Sequence, residues 1–369
     1  MSDEILVGTR KGLFSIVRRS GRWQIGGTAF LGDNVSMLLA DPRDGVRYVA
    51  LEHGHFGCKM HRSAGARADW SEIAAPAYPP KPDAAPEVDP MGKTVPWTVL
   101  KIWSLEAGGA GEPGVLWCGT IPGGLFKSSD GGASWSLNAP LWNEPRRKKW
   151  FGGGADFAGI HSIAVDPRDH RVVRIGVSCG GVWRTTDGGA SWDCTADGMK
   201  AAYMPPGVAN EPAVQDAHRL VQSPSAPDRL WVQHHDTIYR SDDAGGRWHD
   251  IGKIEPSAFG FAVAVHPADP DCAWFVPAVK DEKRYPVDGR LVVTRTRDGG
   301  RSFDILRQGL PQAHAYDLIY RHGLDVDAAG KCLVIGSTTG GLFVSEDQGE
   351  SWQLVSAHLP PIHCVRFVH

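Results

Sequence analysis

SSDGGASW, residues 128–135, returns 57 positions later as TTDGGASW, residues 185–192. Three further stretches fit the same template of small hydroxyl residue, any residue, Asp, any residue, Gly, any two, aromatic. They are SDDAGGRW (241–248), TRDGGRSF (296–303) and SEDQGESW (345–352). The aspartates are Asp130, Asp187, Asp243, Asp298 and Asp347, spaced by 57, 56, 55 and 49 residues. Self-similarity at such a period marks a repeat architecture, and the rest of the chain is read against it.

The octet has the physics of a tight turn between strands. Its Asp carboxylate can accept hydrogen bonds from backbone N–H groups of its own turn, and its Gly can take positive φ without strain. The aromatic opens the next strand and can wedge between neighbouring sheets. Each octet follows a short strand-like run such as GGLFK, GGVWR or DTIYR. Two more runs lie upstream. One ends in a turn, as in HSIAVDPRD (161–169) and HRLVQSPSAPD (218–228); the other is apolar, as in VVRIGVSC (172–179) and RLWVQHH (229–235). The unit is four short antiparallel strands with the octet joining the third to the fourth, which is one propeller blade.

Counting units predicts an all-β chain folded as one seven-bladed β-propeller. Six blades span about 33–70, 96–135, 159–192, 216–248, 258–303 and 314–352. The seventh is shared: PIHCVRFVH (361–369) pairs with EILVGTRKGLFSIVRRSGRW (4–23), which closes the ring and removes sheet edges. In HRSAGARADW (61–70) and SIVRRSGRW (15–23) the octet is degenerate, but the closing Trp survives. The 45 Gly, 26 Pro and 14 Trp agree with many turns, short strands and large inter-sheet aromatics.

On these motifs the chain resembles the Asp-box, or BNR-repeat, sialidase-like and sortilin-like propellers. Nearly the whole chain is covered. The resemblance implies fold rather than function, because such propellers include glycosidases and pure binders. It does not extend to sialidase catalysis: no Arg-Ile-Pro motif occurs, and Arg10, Arg219, Arg321 and Arg366 do not assemble into a recognisable triad.

The formal net charge of −3 gives no reason to expect nucleic acid or an anionic membrane as partner. The opening MSDEILVGTR lacks the apolar run of a signal peptide. The seven Cys are scattered with no CxxC pair, which reads as reduced thiols in a cytoplasmic protein.

In a propeller, the loops leading into the innermost strands share one face with the loops joining second to third strands. The octet turns lie on the other face. Aligning the innermost strands places Ser36, Thr98, His161, His218, Phe261, Tyr316 and His363 at corresponding positions near the strand starts. Second-strand ends add Arg10, Lys11, Glu52, His53, Cys179 and His235, and the loops add Asp216, His314 and Asp317. Imidazoles aimed at a common axis form a metal-ligand arrangement. The expectation is one divalent transition metal (Zn, Mn, Fe or Cu) on His161, His218 and His363, with His53, His235 or His314 as a fourth ligand. Glu52, Asp216, Asp317 and Tyr316 then supply acid–base or orienting groups. Arg10, Lys11, Trp97, Phe261 and Cys179 line the substrate. The bland alternative is that each His caps a carbonyl or lines a water-filled channel.

Four long loops extend the same face: 71–96, 136–158, 193–215 and 277–289. Their aromatics, Tyr203 and Trp142 among them, suit a ring-shaped or sugar-like ligand. RRKK (146–149) offers an anion-binding patch or simply a solvated surface. The expected function is a hydrolase or lyase with a His-lined pocket, acting on a small polar or carbohydrate-like molecule. Two alternatives stand beside it. One is a metal-free glycosidase using paired carboxylates from Glu52, Asp216 and Asp317. The other is a non-catalytic module that holds a protein partner on its loops.

Overall fold

A computed structural model describes residues 2–65, 68–83 and 85–368. Seven four-stranded antiparallel sheets follow one another around a ring. Blade 1 combines Ile362–Phe367 with Glu4–Thr9, Gly12–Arg19 and Arg22–Ala29. Blade 2 runs from Asn34 to Ile73, blade 3 from Lys101 to Leu137 and blade 4 from Gly159 to Cys194. Blade 5 runs from Ala217 to Asp250, blade 6 from Gly260 to Leu306 and blade 7 from Leu324 to Ser356. The ring closes where Ile5–Thr9 pairs with Phe367–Ile362. The longest stretch of α-helix is Ala139–Trp142, and no helix among the described residues is long and apolar enough to cross a membrane.

The octets act as the sequence predicts. Asp130 Oδ1 accepts from the Ser128 hydroxyl at 2.8 Å and the Ser134 amide at 2.9 Å, while Ser128 Oγ accepts from the Gly132 amide. Gly131 and Gly132 both have positive φ, 70° and 86°. The same bonds recur at Asp187, Asp298 and Asp347. The Ser134 hydroxyl and amide, with the Ser128 hydroxyl, hold the Asp130 carboxyl down at about 2. The degenerate octet at 61–70 falls partly on residues 66 and 67, outside the described residues.

The closing aromatics do the wedging. The indole N–H of Trp135 donates to the Ala74 carbonyl beyond blade 2, Trp192 to Asn138 beyond blade 3, and Trp248 to the Thr195 carbonyl beyond blade 4. Each ring thus seals one blade to its predecessor while satisfying its own polar atom. The buried clusters straddle the seams accordingly: Trp117 of blade 3 packs with Ile160, Ile175 and Trp183 of blade 4.

One irregularity positions the functional face. The innermost strands carry a β-bulge at the same level. The register slips around Ser36, Trp103, His161 and His218, and around Phe261 with Ala262. His363 occupies this place in blade 1. In blade 7 the Gly336 amide bonds to Gly323, so the corresponding residue is His322. A bulge re-aims its side chain away from the regular alternation of the strand. Two expected members therefore change: Thr98 gives way to Trp103, and Tyr316 to His322. The run AYDLIY resembles strand, but its backbone bonds to neighbouring loops instead. Ala315 bonds to Gly289, and the Leu318 carbonyl accepts from Thr338. The innermost strand of blade 7 starts only at Leu324.

Candidate functional site

At the strand-start end, residues of blades 4, 5 and 6 gather around one cluster, and this part of the face is called the mouth. Among the described residues, Asp216, His218 and His235 are the one group of potential ligands whose donor atoms lie within 4.8 Å of one another. Asp216 and His218 are two residues apart, at the entrance to the innermost strand of blade 5. His235 follows the neighbouring strand Leu230–His234, and its amide donates to the Asp216 carbonyl at 3.0 Å.

The two carboxylate oxygens of Asp216 have separate tasks. Oδ1 accepts from the Cys179 amide at 3.2 Å and the Ser178 hydroxyl at 3.3 Å, both at the end of blade 4's second strand. Oδ2 faces the imidazoles, 3.2 Å from His218 Nε2 and 3.4 Å from His235 Nδ1. Cys179 presents its amide from a left-handed conformation, φ 47°, which is costly outside glycine and marks a residue held for a purpose. Gly153 passes close above: a Cβ there would lie 2.6 Å from Cys179 Sγ and 3.2 Å from Asp216 Oδ2.

His218 is fixed as a tautomer. Its Nδ1 lies 2.6 Å from the Gly260 carbonyl, an acceptor, so Nδ1 carries the proton. In the neutral ring Nε2 then presents a lone pair to the anionic Asp216 Oδ2. Two acceptors face each other unless a proton or a cation stands between them. Phe261 stacks on the His218 ring at 4.5 Å and 14° and keeps it dry. His235 lies between Asp216 and Asp281, its Nε2 3.6 Å from Asp281.

The electrostatics follow. Burial works to raise the Asp216 carboxyl, but His218, His235 and Arg321 outweigh it and hold it well below the usual carboxylate range. Burial lowers His218, against the pull of Asp216. Burial would also lower His235, but hydrogen bonding to Asp216 and its charge raise it above the ordinary imidazole value. Burial drives the Cys179 thiol far up, so it is no thiolate nucleophile; its sulfur sits 3.9 Å from the Tyr203 hydroxyl.

The other expected site residues lie elsewhere. His161 is fully buried, with Nδ1 2.8 Å from the Ser162 hydroxyl and its ring edge-on to Trp103. His363 places Nδ1 3.2 Å from the Val35 carbonyl, and burial lowers it to about 4. The expected His161–His218–His363 centre therefore does not assemble. Each bulge imidazole has its own partner: His218 and His363 reach the carbonyl before the next blade's bulge, His161 the Ser162 hydroxyl, and His322 the His161 carbonyl. Only His218 has a carboxylate two residues earlier.

His53 sits 3.9 Å from Asp33, and His314 is exposed on its loop. Glu52 pairs with Lys101 at 3.4 Å, and Asp317 accepts from the Thr339 hydroxyl at 2.6 Å. Asp216 is thus the one expected carboxylate in the cluster, and no paired-carboxylate arrangement forms with Glu52 and Asp317. Tyr316, Arg10 and Lys11 are exposed. The RRKK run is structural: Arg147 is buried against the Trp142 ring at 3.9 Å and bonds its carbonyl. Arg146 pairs with Glu144 and Lys149 with Glu211.

Trp97 belongs to a different feature, a cavity of about 500 Å³ under the Pro-rich loop. It is lined by Pro79, Pro86, Val95, Trp97 and Trp142 with Lys81 and Glu87.

Sequence reasoning missed Asp281, Arg284 and Arg321 as site residues. The first two stand in the 277–289 loop already assigned to this face. The third stands one residue before the blade 7 bulge, so correct registration of that blade was the signal that would have found it.

No family model matches the chain, and no curated protein matches it. Solved structures do. The glycoside hydrolase family 74 xyloglucanase from Xanthomonas campestris superposes with a TM-score of 0.64 at 16% identity, over 98% of this chain and 52% of that one. The chain thus spans about half the length of that enzyme. A putative 6-phosphogluconolactonase from Bacteroides uniformis gives 0.57 at 12% identity, over 99% of both chains. YCF48 bound to D1 peptide gives 0.52 at 13% identity, over 87% of this chain and 81% of that one. At these identities the likeness is one of fold, shared by enzymes and binders. Fold and site define a seven-bladed propeller with one buried Asp–His–His cluster.

Proposed function

We propose that the mouth is the active site of a hydrolase or lyase acting on a small polar or carbohydrate-like substrate, with one divalent transition metal held by Asp216, His218 and His235. The observation that carries this reading is the face-off between His218 Nε2 and Asp216 Oδ2, with Nδ1 already committed to Gly260. Burial disfavours a second proton on His218, which leaves a cation as the better occupant. The spacing suits one. Ligand bonds of 2.0–2.2 Å put neighbouring donors about 3.0–3.4 Å apart, and the two contacts of Oδ2 are 3.2 and 3.4 Å. Two His and one carboxylate, with the His218 proton on a backbone carbonyl, is also the outer-shell pattern that orients a ligating imidazole.

A metal here would polarise a substrate oxygen or lower the pKa of a bound water. The chain's own groups do the rest. Asp216 stays ionised, fixed by Cys179 and Ser178. Asp281, 3.6 Å from Nε2 on the far side of His235, would help orient that ring. Phe259, Phe261 and Tyr203 pack around the imidazoles and exclude water.

The test is turnover of a panel of lactones, esters and glycosides by parent protein, Asp216→Asn and His218→Ala, with and without prior chelation. Any activity found in the parent falls at least about a hundredfold in both variants, and chelated parent recovers with added ion. Activity indifferent to both substitutions would overturn the reading.

A second reading is favoured by one feature, the aromatic cavity beneath the Pro-rich loop, which lies away from the cluster. It supports a binding module that holds a protein partner there. Loss of partner capture in Trp97→Ala, with Asp216→Asn unaffected, would select it.

A further inference from the structure

We propose that Arg321 is a receptor for a carboxylate of the substrate, so that the mouth takes an acidic molecule rather than a neutral one. The inference rests on the mouth being the working site. It does not depend on a metal being present.

Among the described residues five arginines are buried: Arg47, Arg147, Arg174, Arg295 and Arg321. Arg47 pairs with Glu4, Arg147 with Glu87, Arg174 with Asp166, and Arg295 with Asp304 and Glu350. Arg321 alone makes no hydrogen bond or ion pair to any described residue. Its Nε and Nη2 are buried without an acceptor, and the residue is 5% exposed. A guanidinium carries five N–H donors and cannot shed its charge at working pH, so leaving it bare is expensive. Native interiors satisfy such groups, and one left over asks for an occupant.

The surroundings fix where that occupant sits. Trp103 and Phe261 flank the guanidinium at 4.8 and 5.2 Å, which holds its position but leaves the in-plane donors unsatisfied. Asp216 influences Arg321 at a distance, yet both its oxygens are already engaged by Cys179, Ser178, His218 and His235. Arg284 stands at the rim, its guanidinium 5.4 Å from the same Phe261 ring, and adds positive charge to the approach. One buried planar fork matches one planar carboxylate in a bidentate pair. A phosphate dianion would call for more donors than this single buried arginine.

The experiment is thermal unfolding of chelator-treated protein in concentration series of acetate, D-glucuronate, D-glucose and inorganic phosphate, at ionic strength held constant with chloride. Parent, Arg321→Gln and Arg321→Lys are compared, each first checked for native circular dichroism. Acetate and D-glucuronate should raise the parent midpoint saturably by about 2 °C or more, and D-glucose should not. Arg321→Gln should lose the whole shift and Arg321→Lys keep part of it. Should Arg321→Gln fail to fold, a weakened, non-bidentate response in Arg321→Lys carries the same conclusion. Stabilisation by phosphate alone would overturn the carboxylate assignment. No saturable shift with any anion, or an unchanged shift in both variants, would overturn the site. Since no ion is present, failure of the metal reading leaves this result untouched, and failure here leaves metal content untouched.

Discussion

At the scale of single residues, the site is a problem of proton placement. His218 is locked by Gly260, Asp216 is locked by Cys179 and Ser178, and His235 is the proposed ligand left to titrate. Its raised pKa makes a signed prediction. A protonated imidazole cannot ligate, so metal affinity is fully developed above the His235 pKa and declines as pH falls through it. With that pKa raised above the ordinary imidazole value of about 6.5, the decline sets in at a higher pH than for a free imidazole and proceeds about tenfold per pH unit. Competition against a chromophoric chelator between about pH 8 and about pH 5 measures it. Affinity flat across that range would show that His235 is not a ligand. Part of this arrangement was legible in the chain. Asp216 and His218 stand two apart in an extended segment, which puts them on one face, and His235 follows the strand beside them. Arg321 was not legible, because a buried guanidinium without an acceptor is a property of tertiary packing that no local spacing records.

At the scale of the element, the octet and the bulge divide the labour of each blade. The octet was readable because it is local: hydroxyl, Asp, Gly and aromatic satisfy one another within eight residues. Blade 7 shows the limit of that legibility. AYDLIY alternates well enough to be taken for strand, and only the pairing of Leu324 with Ile335 reveals that strand begins eight residues after Tyr316. Register is set by partners across the sheet, and a slip moves every side chain, as the exchange of Tyr316 for His322 demonstrates. The closing aromatics should matter more than the turn residues they follow. Trp248 is 2% exposed and hydrogen-bonded to the Thr195 carbonyl of the preceding blade's outer edge. Trp248→Ala should cost about 3–5 kcal/mol in denaturant unfolding through the cavity it leaves. Trp248→Phe should recover most of the packing but not the hydrogen bond. An Ala variant within about 0.5 kcal/mol of the parent would remove the wedge from the account.

At the scale of the whole molecule, the ring is closed by backbone. Ile362–Phe367 pairs with Glu4–Thr9, and Phe367 packs with Ile5, Val7 and Trp23. Deleting residues 362–369 should expose the edge of Glu4–Thr9 and leave the Val35 carbonyl without its His363 partner, giving a chain that associates. Size-exclusion chromatography at several concentrations reads this; a monomer with an unchanged melting midpoint would contradict it. The four bulge imidazoles, His161, His218, His322 and His363, do not converge on one centre. His218 and His363 bond the next blade's backbone, and His322 donates across to the His161 carbonyl, so each imidazole is held by its own partner and no common centre forms. The comparison with enzymes and binders of the same fold leaves function to those local groups.

The most direct measurement is the metal content of protein purified without a nickel column, in parent, His218→Ala and His161→Ala. The account predicts about one ion per chain in the parent and in His161→Ala, and less than about a tenth of that in His218→Ala. A parent that stays empty after reconstitution with Zn, Mn, Fe and Cu would contradict it, and so would equal loss in both variants.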